Sequence, residues 1–165
     1  GYALPNLSSI LESNIEGEGV IIWNWGVHCN GDPRRCLRNN IKRAILPYVT
    51  GHQTHPWKVI FREHEPQHFP PKGGNFAEEY RDTNSCRHLD EDAKEETATP
   101  LDNSRNEIVT ELLLEYNVTM PIIPLFRDME PLWQLHHPPD CTHYCYSPWR
   151  FDLIWDGLLK ALQIM

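Results

Sequence analysis

Near the end of the chain the stretch HHPPDCTHYC gathers His136, His137, Asp140, Cys141, His143 and Cys145. Three kinds of chemistry suit such a set. A carboxylate three residues from an imidazole, as Asp140 is from His143, can accept one ring N–H and leave the other ring nitrogen as a general base. Two cysteines beside histidines can hold zinc, but zinc sites draw two ligand pairs from separate turns, and CTHYC supplies one tight cluster. In an oxidising compartment Cys141 and Cys145 would instead tie the segment by disulfides to distant partners such as Cys86. The disulfide use is the one the sequence favours. Its pairing is open, and no metal or cofactor is expected.

The surrounding pattern shows what must position these groups. GVIIWNWG is a continuous apolar run bounded by glycines, which predicts a central parallel strand buried on both faces. Asp32 before Pro33 starts a helix with Leu37, Ile41, Ile45 and Tyr48 at helical spacing, interrupted by Pro47 and Gly51. WKVIFRE is a second strand. From Asn103 onward Ile108, Val109, Leu112, Leu113 and Tyr116 form a helical stripe, and MPIIPLF reads as a short strand despite its prolines. Ser147 and Pro148 open a closing helix with Phe151, Ile154, Leu158, Leu159 and Leu162 on one face. Leu7 to Ile15 suits a short helix. The alternation implies an α/β three-layer domain with a mostly parallel sheet. One domain over 1–165 is expected, with a flexible insertion at about 70–103, where charge, Pro and Gly replace any periodicity.

Bulk properties narrow the partners. A formal charge of −8 argues against nucleic-acid backbones and anionic membrane surfaces, both of which select basic patches. No apolar run approaches the ~20 residues that span a bilayer, so membrane contact is expected only through an anchor upstream of Gly1. The five cysteines lie in polar contexts and suggest two bridges with one thiol left over. Sequons at Asn6-Leu7-Ser8 and Asn117-Val118-Thr119 are glycosylation candidates that point the same way, to a secretory compartment.

In open α/β sheets ligands collect beyond the carboxyl ends of strands. Three such segments are polar here: Asn24-Trp25-Gly26-Val27-His28, the segment His64 to Phe69, and Asp140 to His143. Together they resemble the PC-esterase family, GDSL/SGNH-like acyl-esterases that include the trichome-birefringence-like polysaccharide O-acetyltransferases. The closing block resembles the family's D-C-x-H-W-C at Asp140, Cys141, His143 and Cys145, with Tyr144 in place of Trp and Trp155 where the family has its helix Trp. FREHEPQHF resembles F-R-x-x-S-P-x-H-F at Phe61, Arg62, Pro66, His68 and Phe69, with Glu65 in place of Ser. WNWGVH resembles N-x-G-x-H at Asn24, Gly26 and His28.

The resemblance implies an SGNH-like fold and transfer or hydrolysis of O-acyl, typically O-acetyl, groups on a polysaccharide or glycan by a Ser-His-Asp mechanism. His143 would be the base, Asp140 its orienter, and Asn24 with the Gly26 backbone the oxyanion donors. His28, His68 and Trp25 become candidate binding residues, Trp25 as a stacking platform for sugar, and Trp155 is assigned to the core. The family's Gly-Asp-Ser nucleophile block is absent from these residues. Gly31-Asp32 is followed by Pro33, and Ser8 and Ser9 lack a preceding buried strand. The expectation is therefore that the first strand and the serine lie ahead of Gly1 and that this chain alone is inactive. An acyl donor would be the second partner, in the Golgi lumen, on a lumen-facing anchor, or outside the cell. The alternatives are a glycan-binding relative without the nucleophile and a zinc-binding interaction module.

Overall fold

The computed structural model describes residues 17–29, 31–47, 57–70, 73–80, 86 and 101–164. The proposed helix at Leu7 to Ile15, Tyr48, the Asn6 sequon and most of the expected insertion lie outside them. The described elements form two compact units, one from 1–62 and 104–122, the other from 63–103 and 123–165.

The first unit is built on parallel strands. Strand β1 (Gly19–Trp23) pairs in parallel with β2 (Trp57–Arg62) in the register Gly19 to Trp57 through Trp23 to Phe61. The strand order is β1-β2-β3, with β3 at Ile122–Ile123. The Phe61 amide donates to the Pro121 carbonyl and the Glu63 amide to the Ile123 carbonyl. Both chains advance by two residues in the same direction, as a parallel ladder requires. Pro121 and Pro124 bracket β3 and limit it to two residues, because neither offers an amide to a ladder.

Among the described residues the central strand is β2, not β1. Ile60 and Phe61 are fully buried, whereas Val20 and Ile22 on β1 stay 38% and 43% exposed. The apolar run was expected to be covered on both faces. In the described residues β1 is an edge strand with one wet face, and an unbroken apolar sequence does not say whether a second layer is present to cover it.

Helix α1 (Pro33–Asn40) begins as the sequence predicts: Asp32 Oδ1 accepts from the Arg35 amide at 2.9 Å, with proline in the first turn. It continues as a π-helical turn over Ile41–Ile45. Pro47 explains the widening, since its ring would clash with the carbonyl four residues back and it has no amide to donate. Helix α2 (Ser104–Glu115) lays Val109, Leu112 and Leu113 into a core with Trp23, Leu37, Ile41, Ile45, Val59 and Phe61. Each such fully buried aliphatic side chain contributes roughly 1.5–3 kcal/mol. The Cys29–Cys36 disulfide fastens the turn after β1 to α1.

The second unit carries helix α3 (Phe126–Met129), strands β4 (His136–His137) and β5 (Asp140–Tyr144), and helix α4 (Pro148–Gln163). Glu63, the residue after β2, fastens the start of α3: its Oε2 accepts from the Leu125 and Phe126 amides at 2.9 and 3.0 Å. The carboxylate satisfies amides that the start of α3 would otherwise leave unpaired. Parts of the expected insertion are tied down: Gly74 gives its carbonyl to the Phe69 amide, and the Asp102 amide bonds the Gly73 carbonyl. Gly74 has φ +73°, and a Cβ there would stand 2.2 Å from the Gln67 carbonyl oxygen, so only glycine fits.

Helix α4 starts at Pro148 as expected, although the Ser147 side chain makes no capping bond. Its buried side is Gly157, Leu158 and Ala161. Phe151 and Leu159 are exposed, and Trp155, expected in the core, is 60% exposed. The helix is apolar over a wider arc than its neighbours cover. Within this unit, which takes in Ile123, a Cβ on Gly157 would lie 2.6 Å from Ile123 Cγ2. Ile123 is fully buried and β-branched, so it cannot rotate away cheaply. Gly157→Ala is therefore expected to destabilise by about 1–2 kcal/mol, the overpacking loss exceeding the helix-propensity gain of about 1 kcal/mol. Chemical denaturation checks this, with an unchanged denaturant slope.

Candidate functional site

The polar segment before the closing helix was expected as a loop and is a hairpin. β4 and β5 pair antiparallel through a turn at Pro138-Pro139, with His136 opposite Tyr144 and an irregular register between His136 and His137. Three contacts fix β5. Cys141 is fully buried and disulfide-bonded to Cys86 among Phe69 and Phe76. Its carbonyl accepts from the His68 amide at 3.0 Å, and Thr142 Oγ1 accepts from Gln67 Nε2 at 2.8 Å.

On this strand Asp140 and His143 form a complete local pair. Asp140 Oδ1 accepts the amides of Thr142 and His143 at 2.9 and 3.2 Å, which holds the carboxylate in place. Its Oδ2 stands 2.5 Å from His143 Nδ1. An ionised carboxylate only accepts, so Nδ1 carries a proton, and in the neutral ring this selects the tautomer with its lone pair on Nε2, the one a general base needs. Burial works against ionisation of Asp140, but the hydrogen bonds from His143 and the two amides outweigh it and hold the carboxyl below its ordinary value. The His143 side chain is 73% exposed and that of Asp140 47%. In water such a pair adds little stability.

Behind β5 lies a buried polar layer that the sequence did not reveal. His136 Nδ1 is 3.1 Å from the His143 carbonyl oxygen, His136 Nε2 is 2.8 Å from His68 Nδ1, and His68 Nε2 is 2.8 Å from the Glu130 carbonyl oxygen. The Tyr144 hydroxyl lies among the Pro66 and Met129 carbonyls and His68 Nδ1 at 3.1 to 3.4 Å. Burial pushes the Tyr144 pKa far above its usual value. Arg150, in the first turn of α4, forks onto Glu65 at 2.7 and 3.0 Å, and its guanidinium lies 5.8 Å from the Tyr144 ring centre.

His68 was expected to line the site, but it is 1% exposed and its ring is occupied by His136 and Glu130, so it braces the hairpin from within. Burial lowers the His136 pKa, outweighing its bond to the His143 carbonyl. The folded state therefore resists protonating His136 more than the unfolded chain does. Stability is fully present above the unfolded value of about 6.5 and declines as pH falls from there through the lowered folded value. A urea midpoint that drops between neutral pH and pH ~5 checks this, and His136→Phe should flatten the slope.

The other predicted residues sit in the first unit. Asn24 Nδ2 donates to the Arg62 carbonyl at 2.8 Å and joins the ends of β1 and β2. Gly26 is buried and its carbonyl accepts from the Cys29 amide. Trp25 is half-buried against the first core, not a free stacking platform, and His28 is exposed.

One cysteine expectation changes. Cys145, expected to be bridged, is a free exposed thiol; the second bridge is Cys29–Cys36. The zinc reading needs thiolates from Cys141 and Cys145, and Cys141 has none to give. Among the described residues no cluster of three His, Cys, Asp or Glu could hold a metal ion.

The class defined by fold and site is a disulfide-bonded α/β protein whose described residues form a three-stranded parallel sheet and carry a surface Asp–His pair on a hairpin. Compared with family models, curated proteins and solved structures, the chain shows no match. Its two disulfides fit a secreted or lumenal protein, and no described helix is long and apolar enough to cross a membrane.

Proposed function

We propose that Asp140 and His143 are the orienter and general base of a Ser-His-Asp acyl-transfer site, acting on O-acyl, most simply O-acetyl, groups of a polysaccharide or glycan. The observation that carries the reading is the Asp140 carboxylate, held by two backbone amides and set 2.5 Å from His143 Nδ1. A surface ion pair needs no such arrangement to exist. A base does, because the wrong tautomer cannot take a proton from a hydroxyl.

The serine is proposed to come from a Gly-Asp-Ser block outside these 165 residues. The exposure of His143 agrees with that, since a nucleophile and a substrate must both reach its Nε2. Exposed aromatic rings on the same unit support a glycan substrate. Tyr146, just beyond β5, is 79% exposed and lies 5.5 Å from the Phe151 ring, and such faces stack on sugars. The compartment proposed is the Golgi lumen or the extracellular space.

The test uses an activated acetyl ester and an acetylated glycan. The 165-residue chain alone should show no turnover that depends on Asp140 and His143, whereas a chain extended upstream by the serine block should. Turnover by the isolated chain that is lost with His143→Ala would overturn the placement of the serine. An extended chain that binds glycan but never turns over would make this a glycan-binding protein without catalysis.

A further inference from the structure

The Asn117 sequon is not used by the acyl-transfer reading, and its surroundings are unusually well defined. Helix α2 ends at Glu115, and the chain leaves it with Asn117 at φ +53°. The Asn117 amide bonds the Leu114 carbonyl at 3.0 Å and the Val118 amide the Leu113 carbonyl at 2.9 Å. Together they are the paired bonds of a Schellman motif, completed by apolar contact between buried Val118 and Leu113 in one core. The geometry splits the sequon. Val118 turns inward, while Asn117 and Thr119 face solvent. Three residues before Asn117, Leu114 is 75% exposed, a large apolar side chain at the rim of the same turn.

We infer that Asn117 carries an N-linked glycan whose inner sugars cover Leu114. The donor is an oligosaccharide held on a polyprenyl diphosphate. The Asn117 carboxamide nitrogen attacks its anomeric carbon, the new C–N bond forms as the anomeric C–O bond to phosphate breaks, the diphosphate leaves with the bonding pair, and the amide gives one proton to a base of the transferring enzyme. The folded turn accommodates the product because Asn117 is exposed and the turn is held by backbone bonds and by the packing of Val118 in one core with Leu113. A capping role by itself accounts for Asn at a left-handed position, which Asn tolerates. It does not account for the exposed Thr119 that completes the sequon. The two disulfides are independent support, since they form in the compartment where this transfer occurs.

The test is to translate the chain into endoplasmic-reticulum microsomes and map peptides from the protease-protected, disulfide-bonded product, which also separates Asn117 from Asn6. Modification at Asn117 is expected, retained in Thr119→Ser and lost in both Thr119→Ala and Asn117→Gly. Glycine suits the left-handed cap, so Asn117→Gly should keep or raise the thermal midpoint, which separates loss of the sequon from loss of the fold. Enzymatic removal of the glycan should increase binding of an apolar dye, and Leu114→Ser should abolish that increase. An unmodified Asn117 peptide from the protected product overturns the inference. Dye binding that ignores deglycosylation overturns the cover over Leu114. Neither outcome touches the roles proposed for Asp140 and His143.

Discussion

In the proposed acyl-transfer site, with the proposed serine block supplied upstream, replacing Asp140 by Asn is expected to lower kcat for acetyl-ester turnover by about 10⁴-fold with little change in KM. The carboxamide keeps the shape but can present an N–H to His143 Nδ1, which then accepts and leaves the proton on Nε2. The base faces the nucleophile in the wrong tautomer. His143→Ala should cost at least as much, and the double variant should lose no more than about the larger single loss, because the two side chains act as one unit. Steady-state kinetics on the three variants decides it. Losses that multiply, or that appear only in KM, would assign the pair to binding. Because its hydrogen bonds hold the Asp140 carboxyl below the ordinary value, the orienting charge should persist through the usual carboxylate range near pH 4 and fail only below it. All these changes should leave the thermal midpoint nearly unmoved, since the pair is exposed.

The opposite signature is expected from the Cys86–Cys141 bridge. It closes a loop of 55 residues, and constraining a loop of that length in the unfolded chain is worth about 4 kcal/mol. Cys86→Ala with Cys141→Ala should therefore lower stability by about that amount, a large share of the 5–15 kcal/mol typical of a domain. The Cys29–Cys36 bridge spans seven residues and should be worth only about 2–3 kcal/mol. Activity should also fall when Cys141 is freed, because the residue is the buried neighbour of Asp140 and its carbonyl holds His68. Denaturation with each bridge removed separately checks the order. A larger loss from the short bridge would mean that packing around Cys29, not chain constraint, sets the difference.

Two positions that depart from the resembled pattern prove to be joined. Glu65 stands where the pattern has Ser and Tyr144 where it has Trp. In the structure Arg150 connects them, forking onto Glu65 and lying over the Tyr144 ring. A buried tyrosine hydroxyl needs acceptors, and the Pro66 and Met129 carbonyls supply them. A buried carboxylate needs a cation, and Arg150 supplies one. The two residues were visible in the sequence one at a time. Their coupling was not, because Glu65 and Arg150 are 85 residues apart.

What the sequence determined is what is local. The start of α1 at Asp32-Pro33, the stripe of α2, the proline-bounded β3 and the Asp140–His143 pair each depend on residues a few positions apart, whose geometry follows from backbone periods and short side-chain reach. What only the tertiary structure decided is what depends on closure of the chain. Periodicity marks an apolar surface without saying what covers it, so β1 came out at an edge and Trp155 in solvent, although both read as core. The pairing of Cys86 with Cys141 over Cys145 follows from which sulfur β5 turns inward. His68 and His136, 68 residues apart, meet only because the hairpin folds back over the segment after β2. Chain closure turned a histidine expected at a binding surface into a buried support for the hairpin that carries Asp140 and His143.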